Sequence, residues 1–123
     1  MTVQELKKII ESDNIPPQLF IFEYSDNNFL PLQYTQEIAK KRNATIRYID
    51  TEDNLYAEIA ALSNLFSEID STEELVYICD SFSVTDMKLK DLTNLIVITH
   101  KLDKQVEQNF SDNIIVFPKL EQW

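Results

Sequence analysis

Apolar residues recur along the chain at two spacings, one typical of helices and one typical of strands. The longest helical stripe consists of four residues three or four positions apart: Leu55, Ile59, Leu62 and Phe66. This spacing predicts an amphipathic helix with one face packed on a sheet. An apolar run follows at Leu75–Cys79 and predicts a strand after that helix.

The adjacent pair Leu65 and Phe66 does not fit a regular continuation of this helix. At about 100° per residue, Leu65 lies roughly 80° from the centre of the apolar face, where a side chain can point to solvent or to a partner. The two side chains can project together only if the helix unwinds near Ser63 and Asn64, and both residue types compete with helical hydrogen bonds. We therefore expect a break at the end of this helix.

Helical and strand patterns alternate through the rest of the chain. Predicted strands are Leu19–Tyr24, Thr45–Asp50, Leu75–Cys79, Leu95–Thr99 and Ile114–Phe117. Predicted helices begin near Val3 and end before Pro16, span Phe29–Lys41, begin at Leu55, and span Asp86–Leu92 and Leu102–Phe110. This alternation predicts an α/β fold, with a five-stranded parallel sheet and helices on both of its faces.

Turns and helix starts must form without glycine, because the chain contains none. Asn, Asp and Ser replace it in clusters such as Ser12-Asp13-Asn14. We expect Asp26 or Asn27 to cap the second helix, and Asp53 or Asn54 to cap the third. The missing glycines also exclude a Walker A loop and a dinucleotide-binding fingerprint, since both need close approach of backbone N–H groups to phosphate.

Length and charge restrict the class of protein. The 123 residues predict a single domain over 1–123, and no apolar run is long enough to span a membrane. No secretory signal is visible, so we expect a cytoplasmic protein. A net charge of −10 disfavours direct nucleic-acid binding and anionic membranes, which indicates a protein partner. With one cysteine, Cys79, and one histidine, His100, we expect no disulfide framework, metal site or cofactor, and an inert core thiol at Cys79.

Several segments, in order, resemble domain I of the delta subunit of the bacterial DNA polymerase III clamp loader. They are an N-terminal helix, LFIFEYSDNNFL (19–30), a helix ending in NLFS (64–67), EELVYIC (73–79), LIVITHKLDK (95–104) and IIVFPKL (114–120). In that family a short polar turn and a Phe-Leu or Leu-Leu step follow the first strand, as at Asp26-Asn27-Asn28-Phe29-Leu30 here. The resemblance covers the whole chain.

The resemblance implies a P-loop-NTPase-like fold of the AAA+ type that lacks a Walker A motif, with strand order 5-1-4-3-2. It implies that Leu65 and Phe66, flanked by Asn64 and Ser67, form a hydrophobic wedge that binds a sliding clamp and helps to open the ring. The isolated domain would not be an enzyme. Family members continue into further domains that contact other clamp-loader subunits. We therefore expect this chain to be the N-terminal fragment of a longer protein, with a naturally short relative as the alternative.

Alternatives remain open at this point. Periodicity alone places Phe66 on the buried stripe, whereas the resemblance makes it an exposed anchor. A phosphoacceptor receiver domain would use Asp80 as acceptor, with strand order 2-1-3-4-5. Its other residues would be Glu23 and Asp26 as Mg²⁺ ligands, with Thr99 and Lys119. A small adaptor protein of related fold is a third hypothesis.

Several charged positions are predicted to be solvated surface. Lys101, Asp103 and Lys104 read as an exposed helix start, and His100 as a surface or boundary residue. The acidic residues Glu68, Asp70, Glu73 and Glu74 are predicted to form a solvated loop.

Overall fold

Five strands in the described part of the chain form one all-parallel sheet. The computed structural model describes residues 1–65 and 73–118, with only the course of the helix at 61–65. The strands are β1 (Phe20–Glu23), β2 (Thr45–Ile49), β3 (Glu73–Phe82), β4 (Leu95–Leu102) and β5 (Ile114–Val116). Their order is β2-β3-β4-β1-β5, and each neighbouring pair is parallel.

Helices cover both faces of this sheet. They are α1 (Val3–Glu11), α2 (Phe29–Lys41), α3 (Glu52–Leu65) and α4 (Lys104–Asn109), with short 3-10 helices at Met87–Asp91 and Ser111–Asn113. Core residues of α1 and α2 pack on one face, which we call the α2 face, and those of α3 and α4 pack on the other, the α3 face. The connection from β1 to β2, through α2, runs one way along the sheet and lies on the α2 face. The connections through α3 and α4 run the other way and lie on the α3 face, which is the arrangement that right-handed crossovers require.

The central strands are apolar because both of their faces are buried. On β1, Phe20 and Phe22 point to the α2 face, while Ile21 points to the α3 face. Val97 on the neighbouring β4 is also fully buried, on the α3 face. Two-sided burial accounts for the near-continuous apolar runs that the sequence shows at these strands.

The predicted fold class and strand order are confirmed. Read from β5, the observed order is 5-1-4-3-2, which is the order that the resemblance implied. The receiver alternative required 2-1-3-4-5 and is wrong on this criterion. Asp80, its proposed acceptor, lies inside β3 and not after it.

Several element boundaries differ from the predictions. β3 extends beyond Leu75–Cys79 at both ends because polar residues continue its ladder, for example Ser81 opposite Lys101. β4 continues to Leu102, so α4 begins two residues later than predicted. The helix predicted at Asp86–Leu92 is a 3-10 helix.

One of the two predicted helix caps is wrong. At α2, Asn28 is the residue before the helix but its side chain makes no capping bond, while the side chain of Asn27, one of the two predicted residues, accepts a hydrogen bond from the Phe29 N–H at 3.1 Å. At α3 the helix begins at Glu52, earlier than predicted, because the Thr51 hydroxyl accepts a hydrogen bond from the Asn54 N–H at 3.1 Å.

Asp13 and Asn43 take the place of glycine at the ends of α1 and α2. Their φ angles are 58° and 56°, in the left-handed region. After each, the next N–H bonds back to the last turn of its helix, from Asn14 to Ile9 and from Ala44 to Ala39. These are Schellman-type ends, in which Asn and Asp are the tolerated substitutes for glycine.

Among the helices that the structure describes, none has the length and apolar character needed to cross a membrane.

Candidate functional site

The end of α3 is the site at which the sequence placed its candidate clamp-binding residues. α3 follows the carboxyl end of β2 and precedes the amino end of β3, so it returns across the sheet and ends at the edge where the strands begin. Leu55 at its start is buried and Ile59 packs on the same core, as the stripe predicted.

The four candidate residues fall at or beyond the end of this helix. α3 runs through Ser63 and Asn64 to Leu65, so the predicted unwinding at Ser63 and Asn64 is wrong. The structure describes the helix course but not the side chains at Asn64 and Leu65. Phe66 and Ser67 lie outside the described residues, and whether Phe66 is buried or exposed stays a prediction.

The chain re-enters the described structure at Glu73 and Glu74, the first two residues of β3. The Asn94 side chain donates a 2.7 Å hydrogen bond to the Glu73 carbonyl, and the Leu75 N–H donates to the Asn94 carbonyl at 2.9 Å. These bonds attach the amino end of β3 to the segment that leads into β4.

Glu74 is the main departure from the sequence prediction at this site. Its predicted place was a solvated loop, yet it is fully buried and pairs with Arg42 at the end of α2, with Nη1 and Oε1 2.5 Å apart. The second Arg42 nitrogen donates to the Pro16 carbonyl at 3.0 Å, and the guanidinium lies over the Phe20 ring. Sequence reasoning missed this pair, although Glu74 shares its period-two spacing with the buried Val76.

Burial disfavours the charged form of the Glu74 carboxylate in this pair. Burial raises the pKa of Glu74, and the Arg42 charge and hydrogen bond offset only part of that rise. The Oε2 atom is buried and has no hydrogen-bond partner among the described atoms. A buried carboxylate that is only half satisfied costs desolvation free energy, so the pair does not owe its presence to a large gain in stability.

Arg47 on β2 links the two sides of the candidate site. Its guanidinium lies 2.9 Å from Glu58 of α3 and 3.6 Å from Glu73 of β3. Arg47 is about half exposed, so these ion pairs contribute little stability individually. These ion pairs nevertheless join α3, which precedes positions 66–72, to β3, which follows those positions.

The carboxyl edge of the sheet is the second place where this fold could hold a ligand. The strands β1 and β4 are neighbours, and the connections that follow them leave on opposite faces of the sheet. Ligands of open α/β sheets bind at such points. An open cavity of about 550 Å³ lies at this edge. Its lining residues are Ser81, Ser83, Lys101, Leu102, Asp103, Lys104 and Glu107.

The charged side chains that line this cavity are two basic and two acidic residues. Lys101 and Lys104 face Asp103 and Glu107, and Asp103 caps α4 by accepting from the Gln105 N–H. Lys101, Asp103 and Lys104 are exposed as predicted, but only Asp103 and Lys104 lie at the start of α4, since Lys101 belongs to β4. Because the chain has no glycine, a Walker A loop cannot form here.

Side chains near β1 complete this edge. Burial raises the pKa of Glu23, with Glu107 adding to the rise and the Leu102 N–H and His100 opposing it. His100 is exposed as predicted, and its Nε2 lies 2.9 Å from the Ser25 carbonyl oxygen. Burial, with nearby Asp80 and Cys79, raises the pKa of Tyr24.

The receiver residues are not arranged as that hypothesis requires. Thr99 is buried and its hydroxyl donates to the Lys101 carbonyl, so it is already engaged. Asp26 is exposed in the loop after β1, and Lys119 lies outside the described residues. Within residues 1–65 and 73–118, no group of three or more His, Cys, Asp or Glu side chains could hold a metal ion.

Cys79 is a free, half-buried thiol on the α3 face of β3. Burial raises its pKa, while hydrogen bonds with Thr99 and Tyr77 lower it in part. The neutral thiol is the stable form, and a neutral thiol is a poor nucleophile. The prediction of an unreactive thiol agrees with this environment.

The sequence matches no protein-family model and no curated protein, and the structure matches no solved structure.

Proposed function

We propose that this chain is a cytoplasmic, delta-like clamp-loader domain that binds a sliding clamp through Leu65 and Phe66. The observation that carries the proposal is the strand order 5-1-4-3-2 in a chain without glycine. An AAA+-type arrangement that cannot form a phosphate-binding loop suits a subunit that binds a partner and does not hydrolyse nucleotide.

The backbone position of Leu65 supports this proposal. Leu65 is the last described residue of α3, at the amino edge of the sheet, opposite the edge where ligands of α/β sheets bind. A contact made there leaves the carboxyl edge free. Leu and Phe are residue types that enter pockets on partners as interface anchors.

The charge of the chain also favours a protein partner. With a net charge of −10, the domain repels the phosphate backbone of the DNA that a clamp encircles. In this proposal the domain contacts the ring and leaves DNA contacts to the clamp and to other clamp-loader subunits.

The pair can supply the affinity that a transient clamp contact requires. Burying a Leu or Phe side chain against a partner contributes roughly 1.5–3 kcal/mol. Two such anchors contribute about 3–6 kcal/mol, while the polar neighbours Asn64 and Ser67 can hydrogen-bond at the rim of the contact.

A competition experiment tests the proposal without changing the domain. The clamp of the organism that encodes the chain is immobilised, and binding of the domain is measured by surface plasmon resonance. We expect saturable binding that is displaced by a peptide of residues 61–68, ALSNLFSE. A peptide with the same composition and the Leu-Phe pair separated is the control. The proposal is wrong if the domain does not bind, or if both peptides compete equally.

A further inference from the structure

We propose that the cavity at the carboxyl edge of the sheet binds a small zwitterionic molecule, of which a free α-amino acid is the simplest. In this assignment Lys101 and Lys104 bind the carboxylate of the ligand, and Glu107 binds its ammonium group. The helix end at Leu65 lies at the opposite, amino edge of the sheet, so the inference does not depend on clamp binding.

β3 becomes irregular where it reaches this cavity. The ladder between β3 and β4 omits one pair, Asp80 and His100. Tyr77 and Phe82 of β3 both pack in the α3-face core, and their ring centroids are 6.2 Å apart. Because side chains alternate along a regular strand, two residues five positions apart would lie on opposite faces. The alternation therefore changes phase between these two rings, at the point where the ladder is interrupted.

β4 changes phase in the same way. Val97 and Leu102 are also five positions apart, and both belong to the α3-face core. The change turns Ser81 and Lys101 away from that core, and both residues are exposed and line the cavity. Irregularities of this kind redirect side chains at the ends of strands and are often found next to binding sites.

The polar groups that line the cavity are available to a ligand. Among the described residues, neither Lys101 nor Lys104 forms an ion pair, and the Ser81 hydroxyl makes no hydrogen bond. Glu107 lies three positions after Lys104 on α4, so both project from the same side of this helix. Charges of both signs thus line one cavity without being paired to each other.

A second carboxylate lies beside Glu107. Burial raises the pKa of Glu23, at the end of β1, and the Glu107 charge adds to the rise, while the Leu102 N–H and His100 oppose it. Leu102 also lines the cavity. Neighbouring carboxylates repel each other, and a ligand ammonium group bound to Glu107 relieves that repulsion.

The charges of the cavity favour a zwitterion over a simple ion. An anion is repelled by Glu107 and by the net charge of −10, and a simple cation is repelled by the two lysines. A ligand with one charge of each sign pairs with both sets of side chains. The volume of about 550 Å³ lies within the range of small-molecule sites, so the cavity also has room for an amino-acid side chain.

The test is an NMR titration of the 123-residue chain with each standard L-α-amino acid in turn, followed through backbone amide chemical shifts. We expect saturable shifts at Ser81, Lys101 and Lys104 with at least one amino acid. Its N-acetyl and carboxamide derivatives each lack one charge and should bind at least about tenfold more weakly. The inference is overturned if no amino acid binds saturably up to about 10 mM, or if either derivative binds as tightly as the parent.

Two variants assign the charges. Lys101→Gln/Lys104→Gln should weaken binding of the amino acid at least about tenfold and leave binding of its carboxamide unchanged. Glu107→Gln should weaken binding of the amino acid to a similar extent and leave binding of its N-acetyl derivative unchanged. Wild-type affinity for the amino acid in either folded variant overturns the inference.

The matched control uses a different cavity of the same chain. Lys7 and Glu11 line a smaller cavity, of about 280 Å³, between α1 and α2. Lys7→Gln/Glu11→Gln should bind the amino acid like the wild type, and equal weakening in this variant overturns the inference. Lys104→Gln alone, at an exposed position of α4, replaces the double variant if substitution of Lys101 prevents folding of β4.

Discussion

The side chain of Asn113 donates a 2.8 Å hydrogen bond to the carbonyl of Leu19, which joins residues 94 positions apart in the chain. Both groups are buried, and the bond attaches the start of β5 to the segment that enters β1. β5 has three residues and pairs with β1 alone within the described sheet, so this bond holds an otherwise short edge strand.

Replacing Asn113 by Ala should therefore destabilise the domain. The substitution leaves the Leu19 carbonyl buried without its partner, which costs about 1–3 kcal/mol of unfolding free energy. Urea denaturation measures this change. Asp112→Ala, at the exposed neighbouring position, is the control and should change stability by less than about 0.5 kcal/mol. An equal loss in both variants would contradict the role given to the Asn113 bond.

The left-handed residue after α2 gives a second stability prediction. Asn43→Gly should preserve or slightly raise the melting temperature, because glycine adopts a φ of 56° without steric cost. Asn43→Ala should lower stability by about 1–2 kcal/mol, the cost of the left-handed conformation for a residue with a Cβ. Thermal unfolding of the two variants distinguishes them. Equal melting temperatures would show that the conformation at position 43 is not constrained.

The buried Glu74 predicts a specific pH dependence. Its pKa in the folded state is raised above the ordinary value of 4.5, so the folded state binds more protons than the unfolded state in the interval above pH 4.5. The stability that Glu74 contributes is therefore full below pH 4.5 and falls as pH rises through the folded pKa. In Glu74→Gln this dependence is absent.

The measurement is the difference in unfolding free energy between Glu74→Gln and the wild type, followed from pH 4 upward. Because the other carboxylates titrate in both proteins, the difference isolates Glu74. We expect the stability of the variant relative to the wild type to rise with pH. A constant difference, or one that falls with pH, would contradict the raised pKa.

The sequence predicted much of this fold because two-sided burial leaves a strong pattern. The apolar runs of β1 and β4 and the full extent of α2 were correct, whereas the strand order came from the family resemblance and not from periodicity. The pairing of Glu74 with Arg42 could not be recognised because the two residues are 32 positions apart, although the period-two spacing of Glu74 with Val76 was a local sign of the face that Glu74 takes. The cap of α3 was misplaced because Thr51, Asp53 and Asn54 are all acceptable acceptors at a helix start.

The candidate site was predictable only in part. The spacing of Leu55 and Ile59 gave the buried face of α3 correctly, since both contact the α3-face core. The predicted break at Ser63 and Asn64 did not occur, because helical hydrogen bonding continues to Leu65 despite the weak propensity of these two residues.

The absence of glycine predicts that the domain does not bind ATP. Isothermal titration calorimetry with Mg²⁺ present should show no saturable heat, because neither a phosphate-cradling loop nor its lysine is available. The cavity near Lys101 and Lys104 is the place where binding would arise by another route. Saturable binding that Lys101→Ala/Lys104→Ala abolishes would contradict the prediction and assign a ligand to that cavity.

The most direct test of the proposed function is the double substitution Leu65→Ala/Phe66→Ala, assayed for clamp binding and for thermal stability in the same preparation. Loss of two anchors worth about 3–6 kcal/mol predicts a clamp affinity two to four orders of magnitude weaker. Phe29→Ala, which removes an aromatic side chain that is 66% exposed on α2, is the control and should leave binding unchanged.

The melting curve decides between an exposed wedge and a buried Phe66. Truncation of a core phenylalanine costs roughly 3–5 kcal/mol of stability, whereas truncation of an exposed anchor leaves the unfolding transition in place. We predict lost clamp binding with an unchanged melting temperature. Retained binding, or binding lost only together with the fold, would contradict the assignment of Leu65 and Phe66 as the clamp-binding residues.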